Sequence, residues 1–166
     1  MDAAWRFMKE IIPHAVLVIH TRHPFMNDAE LLTRFEAQAI ARREWTHRLH
    51  VRMAYLYLRE HPFEEALAKI REGIQRLNAA NSVPEGPQSG YNETLTVAWA
   101  TLVHTTLIEQ GPADTSDQFV DKQPQLLCST LLRLFYSRAI WTEQDCKTKF
   151  VEPDLTPLPK PRNRST

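Results

Sequence analysis

The chain has 166 residues, of which 43% are hydrophobic and 24% are charged. This length and composition suit one domain with a real core and exclude wholesale disorder. Twenty Lys and Arg balance twenty Asp and Glu, so the formal net charge is zero. Proteins that bind nucleic acid or anionic membranes usually carry a basic excess, so we expect neither activity unless a local patch is hidden in the neutral total.

The cysteine content and the apolar runs predict a cytoplasmic protein. Cys128 and Cys146 are too few for a disulfide framework, and reduced thiols are typical of the cytosol. The apolar run 15–19 is too short to span a membrane and lacks the flanks of a signal peptide. The glycosylation sequons at Asn92 and Asn163 therefore have no expected route to modification.

Residues 1–26 are the part that the sequence defines poorly, and we treat them as an N-terminal lead-in. The run 15–19 has the composition of a strand, but no second clear β run could pair with it. A lone strand cannot satisfy its backbone hydrogen bonds. We therefore expect an irregular or helical lead-in that ends at His23-Pro24-Phe25.

Residues 27–150 are predicted to form one compact all-α domain of five or six helices, packed as an orthogonal or bundle-like array. Asn27 is a suitable N-cap for the first helix. The apolar positions within 46–60 cover a broad surface, which predicts a central, buried second helix. Gly73 in the third helix suggests close packing against a neighbour. The remaining helices are expected at about 62–77, 92–110 and 126–135, with a short sixth after Thr142.

The connections and the C-terminus follow from turn-forming residues. The segment 81–90 is the longest clear loop, and 113–124 is polar with one helical turn near Gln118. From Val151 onward the chain carries four prolines, so residues 151–166 are predicted to be an extended, Pro-rich tail.

The segment from Glu44 to His50 contains the strongest candidate chemistry. His47 and His50 are three residues apart and would share one helix face. Imidazole pairs at this spacing bind zinc, iron or copper in many proteins. Glu44 adds a Glu-x-x-His step of the kind found in di-iron bundles, but such a site needs two steps and the sequence has one.

The second candidate segment is the predicted helix start at 90–94. Glu93 falls in the first turn, where the helix dipole favours a carboxylate, and this alone would explain it. If Glu93 points inward, it would be a third metal ligand or a general base, with Glu44 or Asn92 in support and the 81–90 loop controlling access. The aromatic residues, including Trp45 and Trp99, are interpreted as core rather than as a ligand box.

Several motifs together resemble those of a group of small, uncharacterised, mainly bacterial α-helical proteins. They are Trp45-Thr46-His47-x-x-His50, Gly90-Tyr91-x-Glu93-Thr94, Tyr136-Ser137-Arg138 and the run from Glu152 to Pro159. The similarity covers about residues 28–159. The group often has His at the position of Asn92, so the resemblance implies that a metal site here would be weakened or altered if that His were a ligand.

Two functional hypotheses follow. The first is a binding site for a divalent transition metal, zinc or iron, built from His47, His50 and Glu93, with Glu93 as the catalytic base if the site is enzymatic. A small molecule would then be the ligand. The second is a non-catalytic structural or protein-interaction module, in which the same residues are caps and buried hydrogen bonds. The sequence does not decide whether the protein is an enzyme, nor its oligomeric state.

Overall fold

A computed structural model describes residues 26–87, 89–142 and 145–160, with Thr142 described by its backbone alone. Within these ranges the protein is helical and contains no strand, which confirms the all-α class. The described residues contain six α-helices: α1 (Asp28–Glu36), α2 (His47–Glu60), α3 (Phe63–Ala80), α4 (Glu93–Gln110), α5 (Ser116–Lys122) and α6 (Asp145–Thr148). The expectation for residues 15–19 lies outside the described residues.

Helix α2 is the central element. Its residues from Val51 to Leu58 are buried without interruption, and it packs against α1, α3, α4 and α5. The side chain of Thr46 caps its first turn by accepting from the Leu49 N–H, and the extended residue His61 before Pro62 ends it. The broad apolar surface of this segment therefore has the role that the sequence predicted.

Gly73 marks a close approach between α1 and α3. A Cβ at this position would overlap the ring of Phe35, a core residue that is 1% exposed. Glycine lets the two helices approach further than alanine would allow. The predicted close packing at this residue is confirmed.

Residues 126–135 differ from the single helix expected there. The structure has two short 3-10 turns, η1 (Pro124–Leu127) and η2 (Leu131–Leu134), separated by an extended residue at Cys128. The apolar residues Leu126 and Leu131 are buried nonetheless. The periodicity therefore identified core positions, but the break at Cys128 interrupts the α-helix. A third 3-10 turn, η3, covers Ile140–Thr142.

A buried arginine joins three helices. Arg52 of α2 is 4% exposed and donates to the Met26 carbonyl at 2.7 Å, to Ser116 Oγ at 2.8 Å and to Asp28 Oδ1 at 3.1 Å. Burial opposes ionisation of Asp28, but hydrogen bonds from Ser116 and Arg52 outweigh it and lower the pKa of this carboxyl. The ion pair thus fixes the N-termini of α1 and α5 against α2.

The segment 151–160 has no helix and runs across α4 and η2. Leu155 N–H donates to the Phe135 carbonyl at 3.0 Å, and Thr105 Oγ1 donates to the Pro159 carbonyl at 3.0 Å. These bonds attach the segment to the domain. Across the described ranges, no helix combines the length and the apolar character that a membrane span requires.

Candidate functional site

A pocket of about 310 Å³ lies between the starts of α2 and α4 and the apolar face of α3. Most of its wall is aliphatic or aromatic, and none of the described residues that line it is Lys, Arg, Asp or Glu. Its polar members are His47, His50, Asn78, Tyr91, Asn92 and Thr96. The two candidate histidines and Asn92 therefore face one space.

His47, the first residue of α2, is fixed by a backbone carbonyl. Its Nε2 lies 2.9 Å from the Leu126 carbonyl oxygen. A carbonyl only accepts hydrogen bonds, so the proton is assigned to Nε2, and Nδ1 has a lone pair. The ring also packs edge-on against Trp99, with 4.5 Å between centroids. Burial lowers the pKa of His47, which keeps the ring neutral at pH 7.

His50, one turn later, has the opposite tautomer. Its Nδ1 lies 2.8 Å from the Thr46 carbonyl oxygen, so Nδ1 has the proton and Nε2 has the lone pair. Burial, together with a smaller effect of His47, outweighs the hydrogen bond to Thr46 and lowers the pKa of His50 to about 4. The ring lies 4.1 Å from that of Trp45. Both histidines are thus neutral with one nitrogen bonded to backbone.

The second nitrogen of each ring has no hydrogen-bond partner among the described residues. Within those residues, Trp45 Nε1 is the single buried side-chain nitrogen or oxygen that lacks a partner. His47 Nδ1 and His50 Nε2 are consequently not sealed inside the protein. Each nitrogen keeps some accessible surface, and both rings line the pocket.

Glu93, the third predicted ligand, does not line this pocket. Its carboxylate is paired with Arg71 of α3, whose Nε lies 2.8 Å from Oε1, and it accepts from the Tyr91 hydroxyl at 2.5 Å. The described residues contain no group of three or more His, Cys, Asp or Glu that could hold a metal ion. The structure therefore places Glu93 with Arg71 rather than with the histidines.

The hydroxyl protons on the pocket wall are already donated within the protein. Tyr91 donates to Glu93, and Thr96 Oγ1 donates to the Asn92 carbonyl at 2.9 Å. Burial and the hydrogen bond to Glu93 raise the pKa of Tyr91, so its phenol stays neutral. These hydroxyls have lone pairs left but no free proton.

Asn92 and Glu44, the two supporting residues, have different positions. Asn92 is the N-cap of α4, where its Oδ1 accepts from Leu95 N–H at 2.9 Å, and its Nδ2 donates to Cys146 Sγ at 3.6 Å. It also lines the pocket. Glu44 is bound instead to Arg34 at 2.8 Å and lies outside the pocket wall.

Two kinds of wall residue were not singled out from the sequence. Trp45 and Trp99 were assigned to the core; they do pack against it, and they also line the pocket. Asn78 extends the apolar series Ile70, Ile74 on α3 by one turn. A polar residue in line with an apolar stripe was the available signal for it.

The loop that leads into the pocket is attached to α6. Lys147 Nζ donates to the Gly86 carbonyl at 2.5 Å and also to the Ser89 carbonyl, and it pairs with Glu85 at 3.2 Å. The other oxygen of Glu85 accepts from the Tyr91 N–H at 3.0 Å. These charge-assisted hydrogen bonds therefore hold the loop, and with it Tyr91, at the pocket.

No protein-family model, curated protein or solved structure matches the chain. The fold and the site define it as an all-helical protein with a pocket bounded by two neutral histidines. The resemblance to the bacterial group stays a prediction.

Proposed function

We propose that this protein binds a small, uncharged, largely apolar molecule in the pocket. The observation that carries this proposal is a pocket of about 310 Å³ that is lined by aliphatic and aromatic side chains and has no charged group among its described residues. Mostly apolar pockets with a few convergent polar groups are typical ligand sites. A cavity of roughly 150 Å³ already accepts benzene, so this pocket has room for two fused rings.

The aromatic residues favour a flat ligand. Trp45 and Trp99 stand on two sides of the histidine pair, Trp45 against His50 and Trp99 against His47. Flat π surfaces pack well against aromatic ligands in offset or edge geometries. A planar bicyclic molecule would contact these rings and the apolar face of α3.

The test is calorimetric titration of the full chain with indene and with naphthalene. We expect saturable binding at one site. Ala100, which lines the pocket from α4 and is 1% exposed, is changed to Leu so that the new side chain fills the space. The Ala100→Leu variant should bind at least about tenfold more weakly. The leucine side chain takes the space of a few buried methyl groups of the ligand, and burying that much apolar surface contributes about a factor of ten in affinity.

Ala68→Leu is the matched control, because Ala68 is an exposed residue of α3. It should bind like the unaltered protein. If Ala100→Leu fails to fold, Ala54→Leu fills the pocket from α2. Absence of saturable binding, or binding that neither filled variant weakens, would reject the proposal.

A metal ion is the second candidate, favoured by two proton-free imidazole nitrogens on one pocket wall. Zinc or iron binds such nitrogens, and His47 and His50 would be the protein ligands. Glu93, the third ligand predicted from the sequence, would have to leave Arg71 to reach the ion. Metal content of the purified protein is compared with that of a His47→Ala, His50→Ala variant. Equal contents near zero would exclude the metal.

Glu93→Gln separates the roles of that carboxylate. If Glu93 is a metal ligand or a catalytic base, the variant loses metal affinity or turnover. If Glu93 acts only as the partner of Arg71 and Tyr91, the variant loses thermal stability and retains ligand binding.

A further inference from the structure

The polar groups of the pocket are predominantly hydrogen-bond acceptors. The backbone carbonyls of Leu126 and Thr46 accept hydrogen bonds from the protonated nitrogens of His47 and His50, respectively. What remains for a ligand is one lone pair on each ring. Since Nδ1 is free in one ring and Nε2 in the other, the two acceptors come from different edges of the imidazoles.

The donors on the wall are mostly occupied. The hydroxyl protons of Tyr91 and Thr96 go to Glu93 and to a backbone carbonyl, and the Asn92 amide faces Cys146. There are two exceptions: no hydrogen bond within the described residues involves the Asn78 side chain, and Trp45 Nε1 is unpaired but buried, with almost no accessible surface. A ligand therefore meets an excess of acceptors.

Charge on the ligand is disfavoured in both directions. No Lys or Arg among the described lining residues would neutralise an anion, and no Asp or Glu would neutralise a cation. Moving an ion from water into such a pocket without a counter-charge is costly.

We infer that the ligand is a neutral aromatic molecule with an N–H or O–H group, such as an indole or a phenol, whose proton is accepted by His47 Nδ1 or His50 Nε2. This inference rests on the proposed function and specifies its ligand class. A ligand of the same shape without the donor would displace water from these nitrogens without replacing its hydrogen bond. Leaving a buried acceptor unpaired costs more free energy than a normal hydrogen bond contributes.

The experiment compares indole with indene, which has a CH2 group in place of the N–H and nearly the same shape. Each is titrated calorimetrically into the full chain at pH 7, together with indole-2-carboxylate as the anionic analogue. We expect indole to bind about tenfold more tightly than indene and the carboxylate to bind more weakly than indole.

The histidine variants locate the acceptor. His50→Phe keeps an aromatic ring beside Trp45 but has no lone pair, so the preference for indole over indene should fall towards one while indene still binds. His47→Phe tests the other nitrogen and replaces His50→Phe if that variant fails to fold. His61→Phe is the control, since His61 ends α2 outside the pocket.

The outcomes separate this inference from the proposed function. Equal affinities for indole and indene would overturn the donor preference, and tighter binding of the carboxylate would overturn the preference for a neutral ligand. Either result would leave the pocket as a ligand site. Binding of neither indole nor indene would overturn both.

Discussion

At the scale of single residues, the histidine pair couples folding to pH. His50 has a pKa of about 4 in the folded protein against 6.5 for a free side chain. The unfolded chain therefore binds the proton more readily, and stability falls as the pH drops from about 6.5 to 4. We expect a loss of about 3 kcal/mol from this residue over that range. Urea unfolding at pH 7 and pH 4.5 measures it.

The His50→Gln variant isolates this contribution. Its stability should change less between pH 7 and pH 4.5 than that of the unaltered protein. Among described residues, the titratable groups that share the pocket wall with His50 are His47 and Tyr91. The pKa of His47 is also lowered, so His47 adds to the loss of stability at low pH. The pKa of Asp28 is lowered by hydrogen bonds that outweigh its burial, but Asp28 is present in both proteins. An identical pH dependence in the two proteins would contradict the burial of a neutral His50.

The sequence predicted the shared face of His47 and His50 but not the position of Glu93. The spacing of His47 and His50 placed both rings on one face, because residues three apart on a helix are neighbours. Glu93 follows the wall residue Asn92 directly, but Asn92 is the extended N-cap and Glu93 is the first helical residue of α4, so the two side chains have different directions. Glu93 therefore faces Arg71, a residue 22 positions earlier, which no local pattern relates to it.

At the scale of helices, the packing of α1 on α3 depends on Gly73. Gly73→Ala would gain about 1 kcal/mol of helix propensity, but the added methyl overlaps Phe35. That ring is stacked on Trp45 at 5.2 Å and packed against Tyr57 at 6.2 Å, so it has no open space to enter. Overpacking of this kind costs about 1–3 kcal/mol.

We therefore expect Gly73→Ala to destabilise the protein by up to about 2 kcal/mol, the difference between these effects. Denaturant unfolding of the variant measures this change. Adding Phe35→Leu to Gly73→Ala should cost less than the sum of the two single changes, because the smaller side chain relieves the overlap. A Gly73→Ala variant more stable than the parent would refute the close contact.

Helices with an apolar stripe and a capping residue could be predicted from the sequence. Asn27 and Asn92 cap α1 and α4 through their side-chain oxygens. The 3-10 turns around Cys128 could not be predicted, because the apolar spacing of this segment fits two short turns as well as it fits one α-helix. Helix α5 was expected as one turn because the segment 113–124 is polar; the helix buries Ser116, Phe119 and Val120.

At the scale of the whole molecule, the pocket joins elements that are distant in the chain. Its wall takes residues from α2, α3, α4 and the segment 90–92, and α2 is also held to α1 and α5 through Arg52. The wall therefore comes apart when the domain unfolds. A ligand that binds the assembled wall and not the unfolded chain must stabilise the fold.

Indole at about one hundred times its dissociation constant should accordingly add about 2.7 kcal/mol to the free energy of unfolding. For a chain of this size, that raises Tm by roughly 5–10 °C. Scanning calorimetry at increasing indole concentration measures the shift. The Ala100→Leu variant, whose pocket is filled, should show little or none, whereas Ala68→Leu should respond like the parent. A shift equal in both variants would mean that indole binds elsewhere on the protein, because only the first substitution changes the pocket.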